Sequence, residues 1–366
     1  MTSFRFLSRL EIAKALSMAE AIQCMKDIFA QVSLGQTVMP ARQHLAITEH
    51  QSNVLFMPAY LPQGGHLGLK LITLCDRNPA QGLPRIQAVV VLFAAATGRP
   101  RALLDGTFLT ALRTGAASGA ATDLLARPDS SVVAILGAGV QARTQLEAVC
   151  AVRQIRHVRV FDPSRAYAQA FADQMQPALG VAGVAADMDV SEYRHHGLEA
   201  RATRFSQPEA SPGKQVTPVA VQVAASAAEA VSGADIVCAA TTSPTPAFAD
   251  ADLAAGVHIN AIGSYQPSVQ EVPTETVLRA RVVVDHRESA LAETGDLLIP
   301  IGQGLYSPDR IHAELGEIII GLRPGRQSPQ EVTLFKSVGL AVQDVAAAAQ
   351  AVANAERLGL GTVVEL

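Results

Sequence analysis

Residues Ser131 to Ala142 form an apolar run of strand length that enters the turn Gly137-Ala138-Gly139-Val140-Gln141-Ala142 and continues into helix-forming sequence. No other feature restricts the fold as strongly, because G-x-G-x-x-A between a strand and a helix opens a dinucleotide-binding βαβ unit. Gly137 permits the tight turn, Gly139 lets the backbone approach a pyrophosphate, and Ala142 keeps the helix close to the sheet. The first amides of that helix, beginning near Val140 and Gln141, have no partners within the helix and, at the positive end of its dipole, face the phosphates. A second apolar run, His157 to Phe161, ends at Asp162, about 25 residues after Gly137, where a carboxylate accepts from ribose hydroxyls. Gly137, Ala138, Gly139, Val140, Gln141 and Asp162 are therefore candidate cofactor-binding residues.

From Asp123 to His286, short apolar strands alternate with alanine-rich helical stretches, with strands expected at 131–136, 157–162, 218–223, 235–240, 257–262 and 281–285. Strand after helix at this spacing means parallel βαβ units with right-handed crossovers. A polar stretch with Pro208, Pro212 and Gly213 reads as an inserted surface loop over about 186–216. The N-terminal segment differs. It opens with a helix capped by Ser17-x-x-Glu20 and continues with strand-like runs at 53–57, 67–74 and 88–93, which predict a mixed or antiparallel sheet. An alanine-rich helix from about Val338 to Arg357 is apolar around most of its circumference, so it must be buried against the first domain or a second subunit. The expected fold is α/β: a Rossmann-type doubly wound parallel sheet domain (120–333) inserted into an α+β substrate-binding and dimerisation domain (1–119 plus 334–366).

The 366 residues and 49% hydrophobic content can fill two cores. A net charge of −4, with 4% aromatics and no Trp, argues against a nucleic-acid surface. No apolar run reaches the roughly 18–20 residues of a membrane span, and the N-terminus lacks a signal-peptide core, so a cytoplasmic location is the default expectation. The four cysteines are far apart in sequence and read as reduced thiols, and neither they nor the nine histidines have metal-ligand spacing.

Lys70 lies in the middle of Leu67-Gly68-Leu69-Lys70-Leu71-Ile72-Thr73-Leu74, where both strand faces are apolar. A charge is costly to bury there without a partner, so Lys70 marks either a site or a sheet edge from which its ammonium reaches water. Arg42 and Arg113 have no local distinction as sequence.

Taken together, Met57-Pro58-Ala59-Tyr60, Gly68-Leu69-Lys70, Arg113-Thr114, the glycine turn, Ile262-Gly263-Ser264, Gly316-Glu317 and Thr333-Leu334-Phe335-Lys336-Ser337-Val338-Gly339 resemble the ornithine cyclodeaminase/mu-crystallin family from about Ser17 to Asn354. The resemblance implies a homodimer with a sheet joined across its interface, a nicotinamide cofactor on the inserted domain and a small amino or imino acid as substrate. By motif position, Arg42, Arg113 and Lys70 would be the catalytic and substrate-binding residues. Two guanidinium forks would hold a carboxylate, and the lysine would add a mobile donor beside the reacting atoms. Thr114 and Thr241 would lie near the cofactor, with Ser337 and Gly339 in a loop closing over the nicotinamide.

Two departures from the family pattern bear on the reaction. Cyclodeaminases of this family carry an Asp in the loop after the fourth Rossmann strand, where this chain has Ser243, and a neutral hydroxyl cannot pair with a side-chain ammonium as a carboxylate does. Arg85 stands where many relatives have Thr, as a substrate-binding candidate or a solvent-facing residue. The resulting expectation is an NAD(P)-dependent oxidoreductase acting at the C–N bond of a small amino or imino acid, a ketimine or pyrroline-2-carboxylate reductase or an amino acid dehydrogenase. The alternatives are an ammonia-eliminating ornithine cyclodeaminase that recycles its NAD and a non-enzymatic binder of the mu-crystallin kind. Asp162 favours NAD, while Arg165 and Arg143 keep NADP open.

Overall fold

The chain, in a computed structural model that describes residues 3–180 and 219–365, runs β1 (Ser3–Leu7), α1 (Arg9–Ala15), α2 (Met18–Ser33), β2 (Gln43–Ile47), β3 (Ser52–Leu61), β4 (His66–Cys75), β5 (Ile86–Ala94), β6 (Arg99–Asp105) and α3 (Gly106–Leu125). There follow β7 (Val132–Leu136), α4 (Val140–Val152), β8 (His157–Phe161), α5 (Arg165–Gly180), β9 (Ala220–Val223), α6 (Ala227–Val231), β10 (Ile236–Ala239), β11 (His258–Ala261), α7 (Thr274–Arg279) and β12 (Arg281–Val284). The chain closes with α8 (Arg287–Glu293), α9 (Gly295–Gly302), β13 (Ala313–Glu314), α10 (Leu315–Ile319), β14 (Thr333–Lys336), α11 (Ala341–Leu358) and β15 (Thr362–Glu365). The loop expected over 186–216 lies outside the described residues.

Two sheets organise these elements. One has seven strands in the order β15-β1-β6-β5-β4-β3-β2, antiparallel except for the β1–β6 pair. The other has eight parallel strands in the order β13-β12-β14-β11-β10-β7-β8-β9. Its order reverses between β7 and β10, and a doubly wound sheet binds ligands at the carboxyl ends of its strands at such a point. Along β3, β4 and β5 the inner face is buried (Met57, Ala59, Leu61; Gly68, Lys70, Ile72, Leu74; Val90, Leu92), and α11 packs upon it beside α2 and α3.

The expected domain boundaries shift. Residue 334 falls inside β14, which is hydrogen-bonded between β11 and β12, so the chain leaves the parallel sheet only after Lys336. The final helix starts at Ala341 rather than Val338, because Gly339 turns the backbone at φ 78°. At the other crossing α3 runs through residue 119 without a break and is buried along most of its length. A side chain at Gly115 would meet the Thr144 carbonyl oxygen of α4 at 2.4 Å, so the glycine lets α3 lie directly against the helix of the dinucleotide turn.

A buried polar network fastens α3 to the parallel sheet. Asn260 donates to Thr122 Oγ1 (2.9 Å), and both Thr333 Oγ1 (3.1 Å) and Arg326 Nε (2.6 Å) donate to the Leu125 carbonyl. His258 sits between Thr333 and Asn260, and burial, with Arg326 nearby, pushes its pKa down to about 3. The folded imidazole therefore stays neutral, while the unfolded one takes a proton below its ordinary 6.5. This contribution to stability is complete above pH 6.5 and is lost as pH falls toward 3. Thermal melts should shift downward between pH 7 and pH 5, and His258→Asn should flatten that slope; an unchanged slope would assign the acid lability elsewhere.

Candidate functional site

Strand register places Met57, Lys70 and Val90 in one row across β3, β4 and β5. Arg42 immediately precedes β2, whose first residue Gln43 pairs with Phe56, so it enters at the end of the same row. Lys70 points to the covered face, is 1% exposed, and its Nζ lies 2.5 Å from Asp344 Oδ2 on α11. Arg113 on α3 reaches the other oxygen of the same carboxylate (Nε to Oδ1, 3.0 Å) and donates from Nη1 to Gln343 Oε1 (3.1 Å). Its guanidinium lies against Gly339, where a Cβ would stand 2.7 Å from Nη1. Arg42 crosses from the other side and donates to the Gly339 carbonyl (2.6 Å), and its Nε pairs with Glu293 Oε1 of α8 (2.9 Å). The three expected cations thus converge where the chain returns from the parallel sheet.

One buried carboxylate, Asp344, serves two cations. Burial pushes Lys70 down to about 7; Asp344 opposes this, and the Arg113 and Arg42 guanidiniums add to the fall. Asp344 itself is held below the ordinary carboxylate range because Arg113 and Lys70 outweigh its burial. Glu293 is pushed up to about 7 by burial, against the pull of Arg42. The excess of positive charge suits an anion, and a lysine that titrates near neutrality can exist in either protonation state.

The loop Ser337–Gly339 that lies over these groups is pinned from below. Asp285 Oδ2 accepts from Ser337 Oγ (2.7 Å) and from the backbone N–H of Val338 and of Gly339 (2.9 Å each). The Ser337 hydroxyl is thus spent on Asp285, not turned outward. Thr114 donates to the Thr110 carbonyl (2.7 Å), which leaves its side-chain oxygen only as an acceptor. Thr241 gives its N–H to Glu271 Oε1 (2.6 Å), and Ser243 Oγ donates to the carbonyl of Thr245 (2.7 Å) within its own loop. Arg85 is not part of the cluster. It lies opposite Cys75, five residues along β4 from Lys70 or roughly 16 Å at the usual rise per residue. There it pairs with Asp76 (2.8 Å) and hydrogen-bonds Tyr265.

At the switch point, Gly137 adopts φ 85° and its missing side chain leaves room for the Ala240 carbonyl oxygen. Apart from Gly139 and its chain neighbours, no atom of the described residues lies within 4 Å of where a Gly139 Cβ would stand, and helix α4, which starts there, has no side-chain cap among them. Open space beside uncapped helix amides fits a pyrophosphate. Val140, 40% exposed, and Gln141, whose Oε1 is buried without a partner, border the same turn. Asp162 is fixed by Ala138 N–H (3.0 Å) and Ser164 N–H (2.8 Å) at the end of β8, with acceptor capacity left for ribose hydroxyls.

Sequence reasoning did not find Asp344, Gln343, Asp285, Glu293 or Glu271. The available signal for the first two was a Gln-Asp pair inside an otherwise alanine- and valine-rich helix, together with a strand lysine that required a counter-ion. Replacing Asp344 by Asn should leave two buried cations uncompensated. Denaturation of Asp344→Asn should show a loss of about 3–5 kcal/mol, and a loss below 1 kcal/mol would mean that Lys70 and Arg113 find other partners.

The sequence profile of the ornithine cyclodeaminase/mu-crystallin family matches residues 3–194 and 184–358. The Δ1-pyrroline-2-carboxylate reductase of Bacillus cereus is 37% identical over 360 residues, covering 98% of this chain and 99% of its own. The structure of Thermococcus litoralis Δ1-pyrroline-2-carboxylate reductase in complex with NADH and L-proline superposes with a TM-score of 0.85 at 37% identity, covering 98% and 99% of the two chains. An archaeal alanine dehydrogenase dimer with bound NAD gives a TM-score of 0.83 at 31% identity over the full length of both chains.

Proposed function

Because the chain belongs to the ornithine cyclodeaminase/mu-crystallin family, we propose that it is an NAD-dependent reductase of small cyclic imino acids of the Δ1-pyrroline-2-carboxylate kind. The observation that carries this reading is the convergence of buried Lys70 and Arg113 with half-buried Arg42 beside the loop Ser337–Gly339. Arg113 is held rigidly between Asp344 and Gly339 and offers its remaining N–H groups to a carboxylate. Arg42 is anchored through Nε by Glu293 and through Nη2 by the Gly339 carbonyl, which leaves Nη1 for the same anion. Lys70 then stands by the C=N group as an ammonium that can deliver a proton to the nitrogen. The bound nicotinamide supplies the hydride, and the protein contributes orientation and electrostatic support to the moving charge.

The turn at Gly137–Gln141 and the α4 amides would hold the pyrophosphate, and Asp162 would accept from the adenosine ribose hydroxyls. A fixed carboxylate there disfavours a 2′-phosphate, so NADH is preferred over NADPH. Thr114 and Thr241 line the cofactor side, with Ser337 and Gly339 as the floor of the nicotinamide pocket. Ser243 donates its hydroxyl within its own loop and offers no carboxylate to a second amine, which separates this site from ornithine cyclisation. Arg85, tied to Asp76 and Tyr265, belongs to the rim between the two sheets rather than to the carboxylate grip.

The protein acts as a homodimer in this reading. The outer face of β3–β5, with Phe56, Tyr60, Leu67, Leu71, Val89 and Val91, is apolar and takes no part in the chain's core, and Leu67 and Val89 are 36% and 38% exposed. A second copy meeting this face would bury it, and the related alanine dehydrogenase is a dimer. No helix among the described residues is long and apolar enough to cross a membrane, and the four cysteines are unpaired, in keeping with the reducing cytoplasm.

Purified protein with NADH and Δ1-pyrroline-2-carboxylate should consume NADH, and it should release no ammonia from ornithine. Failure with every cyclic imino acid tried would overturn the reading. Lys70→Ala should lower kcat by about 10²–10⁴-fold, the range of general acid catalysis, with NADH affinity nearly unchanged.

The pH dependence has a defined sign. Proton delivery needs the ammonium form, so the kcat/KM of reduction should fall as pH rises through about 7, while the reverse oxidation rises. A flat profile between pH 6 and 9 would remove Lys70 as the donor. Light scattering should give twice the chain mass of 38.4 kDa, with Val89→Lys shifting the population toward monomer; a monomeric wild type would refute the dimer.

A further inference from the structure

Three ionisable side chains outside the substrate cluster are fully buried beneath the carboxyl edge of the parallel sheet. Lys336, the last residue of β14, pairs with Asp296 at the start of α9 (2.8 Å), and both are 0% exposed. Asp296 Oδ1 accepts from the backbone N–H of Glu271 (2.6 Å) and of Val272 (2.9 Å), which fixes the segment that carries Glu271. Glu271, also 0% exposed, spends its two oxygens on two loops. Oε1 accepts from Thr241 N–H after β10 (2.6 Å), and Oε2 accepts from Gly263 N–H after β11 (2.8 Å).

The loops so joined are in direct contact. A Cβ at Gly263 would stand 2.3 Å from the Thr241 carbonyl oxygen, and one at Gly137 would stand 2.7 Å from the Ala240 carbonyl oxygen. The dinucleotide turn, the Thr241 loop and the Gly263 loop therefore rest on one another, and their spacing is set by a single carboxylate. Three buried charges are expensive to retain, and packing alone gives no reason for them.

We propose that Glu271, held by Asp296 and Lys336, is a positioning residue: it staples the loops after β10 and β11 at the spacing that the nicotinamide half of the cofactor requires. The inference rests on the reading of this site as a nicotinamide site and adds the group that gives it its shape. Glu271 touches neither cofactor nor substrate; it acts through the backbone of Thr241 and Gly263. Hydride transfer is sensitive to donor–acceptor distance, so a loop displaced by a fraction of an ångström affects transfer more than it affects folding.

Glu271→Gln tests this, because an amide keeps the size of the side chain but has one acceptor oxygen and can serve only one of the two N–H groups. In the cofactor-free protein, amide exchange at Thr241 or Gly263 should accelerate about tenfold or more. NADH affinity, measured by fluorescence titration, should fall about tenfold, and the primary isotope effect with 4-deuterated NADH should increase. If that variant does not fold, Gly263→Ala spreads the same loops with the charges intact and should give the same three changes.

A folded variant with wild-type exchange, affinity and isotope effect, even with a lowered Tm, would overturn the proposal and leave Glu271 a purely structural residue. Wild-type protein that binds no NADH would instead refute the nicotinamide reading, which the exchange measurement does not depend on.

Discussion

Asp344 is the constraint on which the rest of the structure depends. It lies on α11, the helix that returns from the inserted domain, and each of its oxygens faces a cation from a different element: Lys70 of β4 and Arg113 of α3. Sheet, outgoing helix and returning helix are joined through one carboxylate with no exposure to water. Such an arrangement is weak evidence for stability, since desolvation offsets most of the attraction. What it provides is geometry. The lysine and the arginine cannot move independently, and their shared counter-ion leaves a surplus of positive charge for a ligand to neutralise.

The site lies at the two places where the chain passes between domains. On the way out, α3 carries Arg113 and Thr114 and presses against α4 at Gly115, so Arg113 and the glycine turn belong to one pair of packed helices. On the way back, Ser337–Gly339 leaves β14, is bound by Asp285, and lies directly against Arg42 and Arg113. Two carboxylates, Asp285 and Glu271, thus hold the backbone of three loops at the carboxyl edge, and Lys336 joins them, its carbonyl accepting from the Asp285 N–H and its ammonium pairing with the Asp296 that fixes Glu271. Loops pinned through their amides keep this edge open, because they cannot collapse onto it.

Much of this was legible beforehand. The glycine turn, Asp162 and the alternation of strands and helices identified a doubly wound sheet, because local turn chemistry and hydrophobic period are properties of short segments. Lys70 was marked by its own context, a charge where both strand faces are apolar. Arg42 and Arg113 were marked only by resemblance to a family, since nothing in their neighbours distinguishes them from surface arginines. Ser337 and Thr114 were placed near the cofactor, yet their hydroxyls turn to Asp285 and to the Thr110 carbonyl. Arg85, named as a substrate candidate, pairs with Asp76 away from the Lys70 cluster, because register along β4 separates it from Lys70 by five residues.

What the sequence determined by itself is therefore a segment-scale part of this protein: the alternating strands and helices of the parallel sheet, the glycine turn between β7 and α4, and that a lysine in an apolar strand needs a partner. Which group that partner is, and how it is shared, only the tertiary structure decided. Lys70 and Asp344 are far apart in the chain, and an aspartate in an alanine-rich helix gives no sign of the strand it will meet. The same holds for β14, which reads as the start of the last segment and is built into the middle of the parallel sheet between β11 and β12. Strand order, ion-pair partners and loop spacing arise from backbone hydrogen bonds and packing between segments remote in sequence, and no local periodicity encodes them.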